Sequence, residues 1–304
     1  MSTPLRTEQL TKTFPHVDAL HSLTLEVPEG AVFALVGPNG AGKTTAIKTF
    51  LNLQCPTSGK ATILDTDSRS LGAPQLEQIG YVSENQKLPG WMKVGYFLSY
   101  CKEFYPGWRD DDLAELVRLY DLPLDRKLNH LSRGMRVKAA LASSLAYRPK
   151  LIVLDEPFGG LDVLVREQLI ESILDRTPEA TVFLASHDLS EIESFASHIA
   201  YLNGGRLEFV EETAMLAARF REVQVTLDHP AELPLGMPAA WLNPQTSGAV
   251  AAFTHSRYDH GSQAEIQARF PGAREITARV MTLRSIVLAL SKSAKGAAGA
   301  TGAR

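Results

Sequence analysis

The feature that most constrains the fold of this sequence is a glycine-rich segment with the spacing G-x-x-x-x-G-K-T. It lies between an apolar, β-prone run at 31–36 and a helix-favouring run at 45–51. A strand, a loop of this spacing and a helix N-terminus together form a phosphate-binding site. The alternative, a glycine-rich turn with a chance lysine, is disfavoured by these flanking runs. The candidate binding residues are Gly37, Pro38, Asn39, Gly40, Ala41, Gly42, Lys43, Thr44 and Thr45.

The residue types in this loop suit a nucleotide triphosphate, which carries several negative charges. Glycines let the backbone curl so that consecutive N–H groups point inward, and the helix dipole adds partial positive charge at the same place. Lys43 supplies a mobile cation for the outer phosphates. Thr44 offers a hydroxyl group to Mg²⁺. The loop therefore predicts binding of ATP with magnesium.

A second segment places two carboxylates directly after an apolar run. Residues 151–154 read as a central parallel strand, and Asp155 and Glu156 follow it. Ligands bind at the carboxyl end of such strands. We expect Asp155 to hold Mg²⁺ and Glu156 to act as the general base for an attacking water. A solvated acidic turn is disfavoured, because two adjacent acids at a buried strand end repel each other without a cation.

The composition sets limits on the function. The chain of 304 residues suggests about two domains, and 44% hydrophobic residues suffice for a core. A net charge of −3 gives no reason to expect nucleic acid. Cys55 and Cys101 lie in no ligand spacing, which favours a reducing compartment. No apolar run approaches the roughly 18 residues of a membrane span, and the N-terminus does not read as a signal peptide. We therefore predict a cytoplasmic protein whose membrane role, if any, is peripheral.

The order of elements predicts the α/β class, with a P-loop NTPase core, an antiparallel β subdomain and a helical subdomain at about 87–148. After the apolar run at 151–154 we predict a helix at 163–175, a strand at 181–185, a second helix at 188–197 and a hairpin around Asn203. The first domain is predicted to span 1–212. A small α+β domain is expected at 213–290, and 291–304 is small and low in complexity and is expected to be disordered.

Up to about residue 212 the sequence resembles the nucleotide-binding subunit of an ABC transporter. The stretch from Leu131 to Met135, which contains Ser132 and Gly134, is similar to the family signature L-S-G-G-Q. Asp162 resembles the D-loop aspartate and His187 the switch histidine. Phe14 resembles the aromatic residue that stacks on adenine. These features occur in the family order.

The resemblance implies a mechanism and two partners. Two subunits, identical or closely related, would pair head to tail around two ATP molecules. Lys43, Thr44 and Asp155 of one subunit would hold Mg-ATP, while Ser132 and Gly134 of the other cover the γ-phosphate. Glu156 would activate water and His187 would position Glu156. An integral membrane permease, encoded separately, would be the transport partner.

Two departures from the family pattern affect these expectations. Glu84 stands where the family has a glutamine, and we expect it to face Mg²⁺; Gln86 is the alternative for that role. Arg133 and Met135 replace a glycine and a glutamine of the signature. Similar signatures occur in exporters with a separate membrane chain, which favours an exporter.

Two other functions are compatible with a phosphate-binding loop. A non-transport ABC ATPase would have tandem nucleotide domains or a long heptad insertion, and the sequence has neither. A regulatory module that holds ATP without turnover is disfavoured by Glu156 and His187. The segment 91–108 is rich in aromatic residues: we predict that Phe97 and Phe104 pack in the core and that Trp91 contacts the membrane partner.

Overall fold

The computed structural model describes residues 3–84, 86–176 and 178–301. The chain divides into two compact units, with the boundary between Val210 and Glu211. The sequence places this boundary two residues later. The first unit has two sheets and the second has one, and each unit has its own core.

The first unit contains two sheets and several helices. Its strands are β1 (Leu5–Phe14), β2 (Val17–Val27), β3 (Val32–Val36), β4 (Ser58–Ile63), β5 (Thr66–Asp67), β6 (Ile79–Ser83), β7 (Leu151–Asp155), β8 (Thr181–Ser186), β9 (His198–Asn203) and β10 (Arg206–Glu212). Its α-helices are α1 (Lys43–Phe50), α2 (Ala73–Leu76), α3 (Val94–Lys102), α4 (Asp110–Leu119), α5 (Arg133–Leu145) and α6 (Val163–Arg176). The last residues of β10 lie beyond the unit boundary.

The six-stranded sheet of the first unit has the order β10-β9-β3-β8-β7-β6. Pairings from β9 through β3, β8 and β7 to β6 are parallel, so these strands end at the same edge. The register sets Asp155 of β7 beside Ser83 of β6 and Ala185 of β8. All five residues of β7 are buried, as the continuous apolar run predicts. The carboxyl edge of this sheet therefore gathers the residues that follow β3, β6, β7 and β8.

The core of the first unit lies between the two sheets and α1. Phe183 stacks on Phe33 at 5.8 Å between ring centroids and meets the edge of Phe50 at 5.5 Å. All three rings are fully buried. The second sheet, of order β2-β1-β4-β5, contributes leucines such as Leu5 and Leu23. This packing fixes α1 against the parallel sheet, and with it the loop that precedes α1.

The helical region lies at 87–148, within which the structure describes every residue. It holds α3, α4 and α5. Phe97 is buried, which confirms the prediction, but Phe104 is 56% exposed, so its assignment to the core was wrong. The segment predicted as a helix at 188–197 forms only a 3₁₀ turn at Leu189–Glu191, followed by further turns.

The second unit is an α+β structure built on one antiparallel sheet of order β12-β13-β11-β14. Its elements are α7 (Thr213–Arg219), β11 (Arg221–Leu227), β12 (Trp241–Ser247), β13 (Val250–His255), α8 (Ser262–Arg269), β14 (Ala273–Val280) and α9 (Leu283–Thr301). Trp241 stacks on Phe253 at 4.2 Å in its core. The helix α9 continues to Thr301, whereas the sequence predicts disorder from 291. The stretch from 291 contains several alanines, and alanine has the highest helix propensity. Residues 302–304 lie outside the described residues.

Within the described ranges, no helix combines the length and the apolar character needed to cross a bilayer.

We expect Phe50→Ala to destabilise the first unit by about 3–5 kcal/mol, because it leaves a cavity beside Phe183. Urea unfolding followed by circular dichroism measures this change. The control is Leu53→Ala, whose side chain is 61% exposed, and we expect it to change the free energy of unfolding by about 0.5 kcal/mol or less. Equal effects of the two substitutions would contradict the described core.

Candidate functional site

The phosphate-binding loop connects β3 to α1 and is held in place by close backbone contacts. Gly42 has φ = 106°, in the left-handed region, and a Cβ atom there would lie 2.4 Å from the carbonyl oxygen of Ala19. A Cβ atom at Gly37 would lie 2.0 Å from the carbonyl oxygen of Leu202. Both positions therefore require glycine. Asn39 and Gly40 form the exposed tip of the loop, between these fixed ends.

Ala41 and Thr45 continue the same structure. The buried Ala41 donates its N–H to the carbonyl of Pro38 at 3.0 Å, which curls the loop, and its own carbonyl accepts from Gly205 at 2.9 Å. The carbonyl of Thr45 accepts from the hydroxyl of Thr49 at 2.7 Å inside α1. The predicted loop residues thus form one continuous turn at the start of a helix.

Lys43 is the central cation of the site. Its side chain is only 6% exposed, and its Nζ donates to the carbonyl oxygens of Gly37 at 2.7 Å and Pro38 at 3.2 Å. The same amino group lies 3.1 Å from Oε1 of Glu156. A largely buried ammonium group needs such partners because it has lost most of its hydration. The amino group therefore links the phosphate-binding loop to the carboxylate of Glu156, which follows β7.

Thr44 and Asp155 meet across the same edge. The Thr44 hydroxyl donates to Oδ1 of Asp155 at 2.9 Å, and the Ser83 hydroxyl lies 3.5 Å from Oδ2. Asp155 is 3% exposed, and this burial raises its pKa, while the hydrogen bond from Thr44 opposes the change. Sequence reasoning missed Ser83, whose only signal was its place at the end of β6.

A hydroxyl and a carboxylate side by side are suitable ligands for Mg²⁺, which prefers oxygen and keeps water and phosphate oxygens as its other ligands. Over 3–84, 86–176 and 178–301 there is no group of three or more His, Cys, Asp and Glu side chains arranged to hold a metal ion.

Glu156 and His187 form the second polar pair at this edge. Oε2 of Glu156 lies 2.7 Å from Nδ1 of His187 and accepts from the His187 N–H at 3.2 Å. Glu156 has φ = 52°, an uncommon conformation for a residue with a side chain, which is found at functional sites. Its hydrogen bond to Glu156 raises the pKa of His187. One carboxylate is therefore held between Lys43 and His187.

Glu84 follows β6 and lies beside the same edge. Its N–H donates to the carbonyl of Asp155 at 2.9 Å, and its carboxylate forms an ion pair with Arg133. The prediction placed this carboxylate toward Mg²⁺, whereas the structure turns it to Arg133. The amide oxygen of Gln86 lies 3.4 Å from the N–H of Ser83. The sequence shows Arg133 only as a departure from the signature and gives no sign of its partner.

The signature residues and Asp162 lie at the N-termini of two helices. Ser132 is exposed and caps α5, since its Oγ accepts from the N–H of Met135 at 3.2 Å. A Cβ atom at Gly134 would lie 3.3 Å from the side chain of Leu161. Asp162 caps α6, with Oδ1 accepting from the N–H of Val165 at 3.0 Å. These contacts are with neighbouring residues, not with the cluster around Lys43.

Phe14 lies at the end of β1, where its ring is 39% exposed. The amino group of Lys12 lies 5.0 Å from the ring centroid, in the geometry of a cation–π contact. The exposed ring has room to stack on a flat partner.

Comparison with known sequences identifies relatives that are ATP-binding proteins of transporters. The sequence model of a family described as ABC transporter matches residues 20–159. The sulfate/thiosulfate import ATP-binding protein CysA of Mesorhizobium japonicum is 34% identical over 219 residues, covering 68% of this chain and 62% of that protein. CysA of Nephroselmis olivacea is 35% identical over 233 residues, covering 74% and 64%. The chain spans just over three fifths of these relatives.

Solved structures give the same result for the fold. The structure of an ATP-binding subunit of an ABC transporter has a TM-score of 0.64 and 26% identity, and covers 69% of this chain and 90% of that chain. A dimeric ATP-binding cassette bound to ADP and phosphate has a TM-score of 0.62 and 25% identity, and covers 69% and 98%. About two thirds of this chain therefore has the fold of ATP-binding cassettes.

We expect the pKa of His187 to lie above the ordinary histidine value in the protein without nucleotide. Because the folded-state pKa is raised, the stability from this pair is present below the ordinary pKa and is lost as pH rises through the raised pKa. A Glu156→Gln substitution removes the main cause, so the pKa of His187 should fall. An NMR titration of the imidazole signals measures both values.

His255 is the internal control for this titration, because burial lowers its pKa and it lies in the other unit. Its pKa should stay the same in Glu156→Gln. If the pKa of His187 is also unchanged, the Glu156–His187 hydrogen bond does not form in solution.

Proposed function

We propose that this chain, which belongs to the ABC transporter ATP-binding family, binds Mg-ATP and hydrolyses it to drive a separate membrane permease. The observation that carries this proposal is the arrangement of Glu156 between Lys43 and His187, with Thr44 and Asp155 beside them. A phosphate site, an oxygen pair suited to a cation and a candidate base lie at one edge of the sheet. That combination supports turnover of a nucleotide rather than binding alone.

Binding would use the loop between β3 and α1. The γ-phosphate of ATP would take the amino group of Lys43 from its present partner Glu156, since both are anionic and the lysine is nearly buried. Thr44 and Asp155 would hold Mg²⁺, which supplies positive charge to the phosphate oxygens when bound. Phe14, with its exposed ring, would stack on adenine.

Hydrolysis would use Glu156 as the general base. The carboxylate accepts a proton from water, the water oxygen attacks the γ-phosphorus, and ADP leaves with the electrons of the broken P–O bond. His187 holds Oε2 of Glu156 through both its ring nitrogen and its backbone N–H. This double contact fixes the direction in which the carboxylate faces.

A second ATPase subunit, the same chain or a close relative, would complete the site. Ser132, Gly134 and Asp162 are held by contacts with their own neighbours, so Ser132 is exposed and ready to meet a partner's nucleotide. The dimeric ATP-binding cassette described above supports this pairing. Each site would then consist of Lys43, Thr44, Asp155, Glu156 and His187 from one subunit and the signature from the other.

A membrane permease would bind at an exposed aromatic strip that begins before α3, continues along it and ends just after it. The strip consists of Trp91, Tyr96, Tyr100 and Phe104, which are 68%, 58%, 47% and 56% exposed. Large exposed aromatic side chains are frequent anchors in protein interfaces. The chain would thereby be peripheral at the cytoplasmic face of the membrane.

The direction of transport and the substrate are two further parts of this proposal. The signature residues favour an exporter, while the relatives at 34–35% identity are named as sulfate and thiosulfate import proteins. We favour import, because these names come from similarity over two thirds or more of this chain rather than from a few signature positions. Uptake of labelled sulfate into vesicles that contain the permease and this chain tests both points.

We expect Glu156→Gln to keep ATP binding and to lower ATP hydrolysis by about 10²–10⁴-fold, because the amide cannot accept the water proton. An ATP-bound dimer should then accumulate and be visible by size-exclusion chromatography. Glu167→Gln, which removes an exposed carboxylate from α6, is the matched control and should hydrolyse at the unmodified rate.

Lys43→Ala separates binding from turnover in the same assay, since loss of the cation should abolish ATP binding. If Glu156→Gln hydrolyses ATP normally, Glu156 is not the base. If the unmodified chain binds no ATP, the proposed function is wrong.

We expect Trp91→Ala to leave ATP affinity and thermal stability nearly unchanged and to weaken co-purification with the permease. A loss of about 2 kcal/mol in binding free energy is typical of an interface anchor. Leu53→Ala, which removes another exposed apolar side chain, should leave the complex intact. A lower thermal stability together with an intact complex would place Trp91 in the core.

A further inference from the structure

Two positions at which this sequence departs from the family pattern lie against each other in the fold. Glu84 and Arg133 are 49 residues apart in sequence, and their side chains form an ion pair. We call this contact the Glu84–Arg133 pair. The two substitutions thus bring one negative and one positive charge to the same place.

Glu84 lies at the edge where phosphates would bind. It follows Ser83, which is in register with Asp155, and its N–H donates to the Asp155 carbonyl. With Asp155 and Glu156 it makes three acidic residues at this edge. Lys43 and His187 contact Glu156, and hydroxyl groups contact Asp155. Without a cation of its own, Glu84 would repel a polyphosphate.

Arg133 lies at a position that is electrostatically unfavourable for a cation. It is the first residue of α5, and the positive end of the helix dipole disfavours a cation there. Its guanidinium also lies over the backbone of Gly159 and Gly160: Cβ atoms at these positions would be 3.1 and 2.9 Å from its terminal nitrogens. The fold therefore leaves space for this side chain to reach Glu84.

We propose that Arg133 is a positioning residue that neutralises Glu84 and holds its carboxylate away from the phosphates. The Glu84–Arg133 pair then has no net charge, and in this respect it resembles the uncharged glutamine that the family has at position 84. The pair also joins the segment after β6 to the first turn of α5. This inference rests on the proposed function, because it concerns the affinity of the same site for ATP.

Both side chains of the pair are partly exposed: Arg133 is 42% exposed and Glu84 is 31% exposed. Such ion pairs contribute little to stability. The effect to be measured is therefore on nucleotide binding and not on thermal unfolding, which separates positioning from a merely structural contact.

The test is a double-substitution cycle on the full chain, with Mg-ATP affinity measured by calorimetry. Arg133→Gln leaves Glu84 without its cation, and ATP binding should weaken by about tenfold. Adding Glu84→Gln to Arg133→Gln removes the repulsion and should restore the affinity. Arg136→Gln is the matched control: it removes a charge from the same turn, but its guanidinium donates to the Leu131 carbonyl, and ATP affinity should hold.

Three results would overturn the inference while leaving the proposed function in place. These are an unchanged affinity in Arg133→Gln, a loss that Glu84→Gln does not restore, and a higher Mg²⁺ requirement in Glu84→Gln alone. The second would mean that Arg133 contacts nucleotide or a partner itself, and the third that Glu84 is a metal ligand. Absence of ATP binding in the unmodified chain would instead overturn the proposed function, and this inference with it.

Discussion

The contact between the amino group of Lys43 and the carboxylate of Glu156 is the interaction on which the rest of the site depends. Parallel strands that end together bring Asp155, Glu156 and Glu84 to one edge. Three acidic residues at a partly buried edge are unfavourable unless cations or hydrogen-bond donors lie among them. Lys43 reaches that edge because the loop before α1 curls over it, and the curl requires glycine at Gly37 and Gly42. The loop therefore stabilises the acidic residues at this edge through Lys43, in addition to forming the candidate phosphate site.

Under the proposed function, this arrangement would couple nucleotide binding to the contacts of Glu156, the proposed base. The amino group of Lys43 contacts two loop carbonyls and Glu156, so a phosphate that binds the lysine would leave Glu156 with His187. A histidine with a raised pKa is the partner suited to hold a carboxylate in that state. Nucleotide binding and activation of water would then both follow when Lys43 exchanges Glu156 for a phosphate. This exchange would not require the strands of the sheet to move.

The elements that could be predicted from sequence are those with local signals. The loop, the buried strand β7 and its carboxylates carry short motifs, and the structure brings them together as the parallel order requires. The segment predicted as a helix at 188–197 forms turns instead. Its apolar residues, such as Ile192 and Ala196, are buried, so the spacing that suggests a helix reflects burial in an irregular segment. Phe104 has helical spacing but lies beyond the end of α3, so its ring is exposed. The Glu84–Arg133 pair has no local signal, since its partners meet only after β6 and α5 pack.

The signature helix differs from the phosphate loop in what it needs for its structure. Ser132 caps α5 through Met135, and Asp162 caps α6 through Val165, so both helix starts are formed by their own side chains. Lys43 and Glu156, in contrast, pair with each other, and under the proposed function a bound phosphate would replace Glu156 as the partner of Lys43. The signature surface is thus formed by its own contacts, while the phosphate site would change partners. Under the proposed pairing, a surface that is already ordered would meet a nucleotide on another subunit at a low cost of ordering, and the energetic control of dimer formation would then lie in the phosphate site.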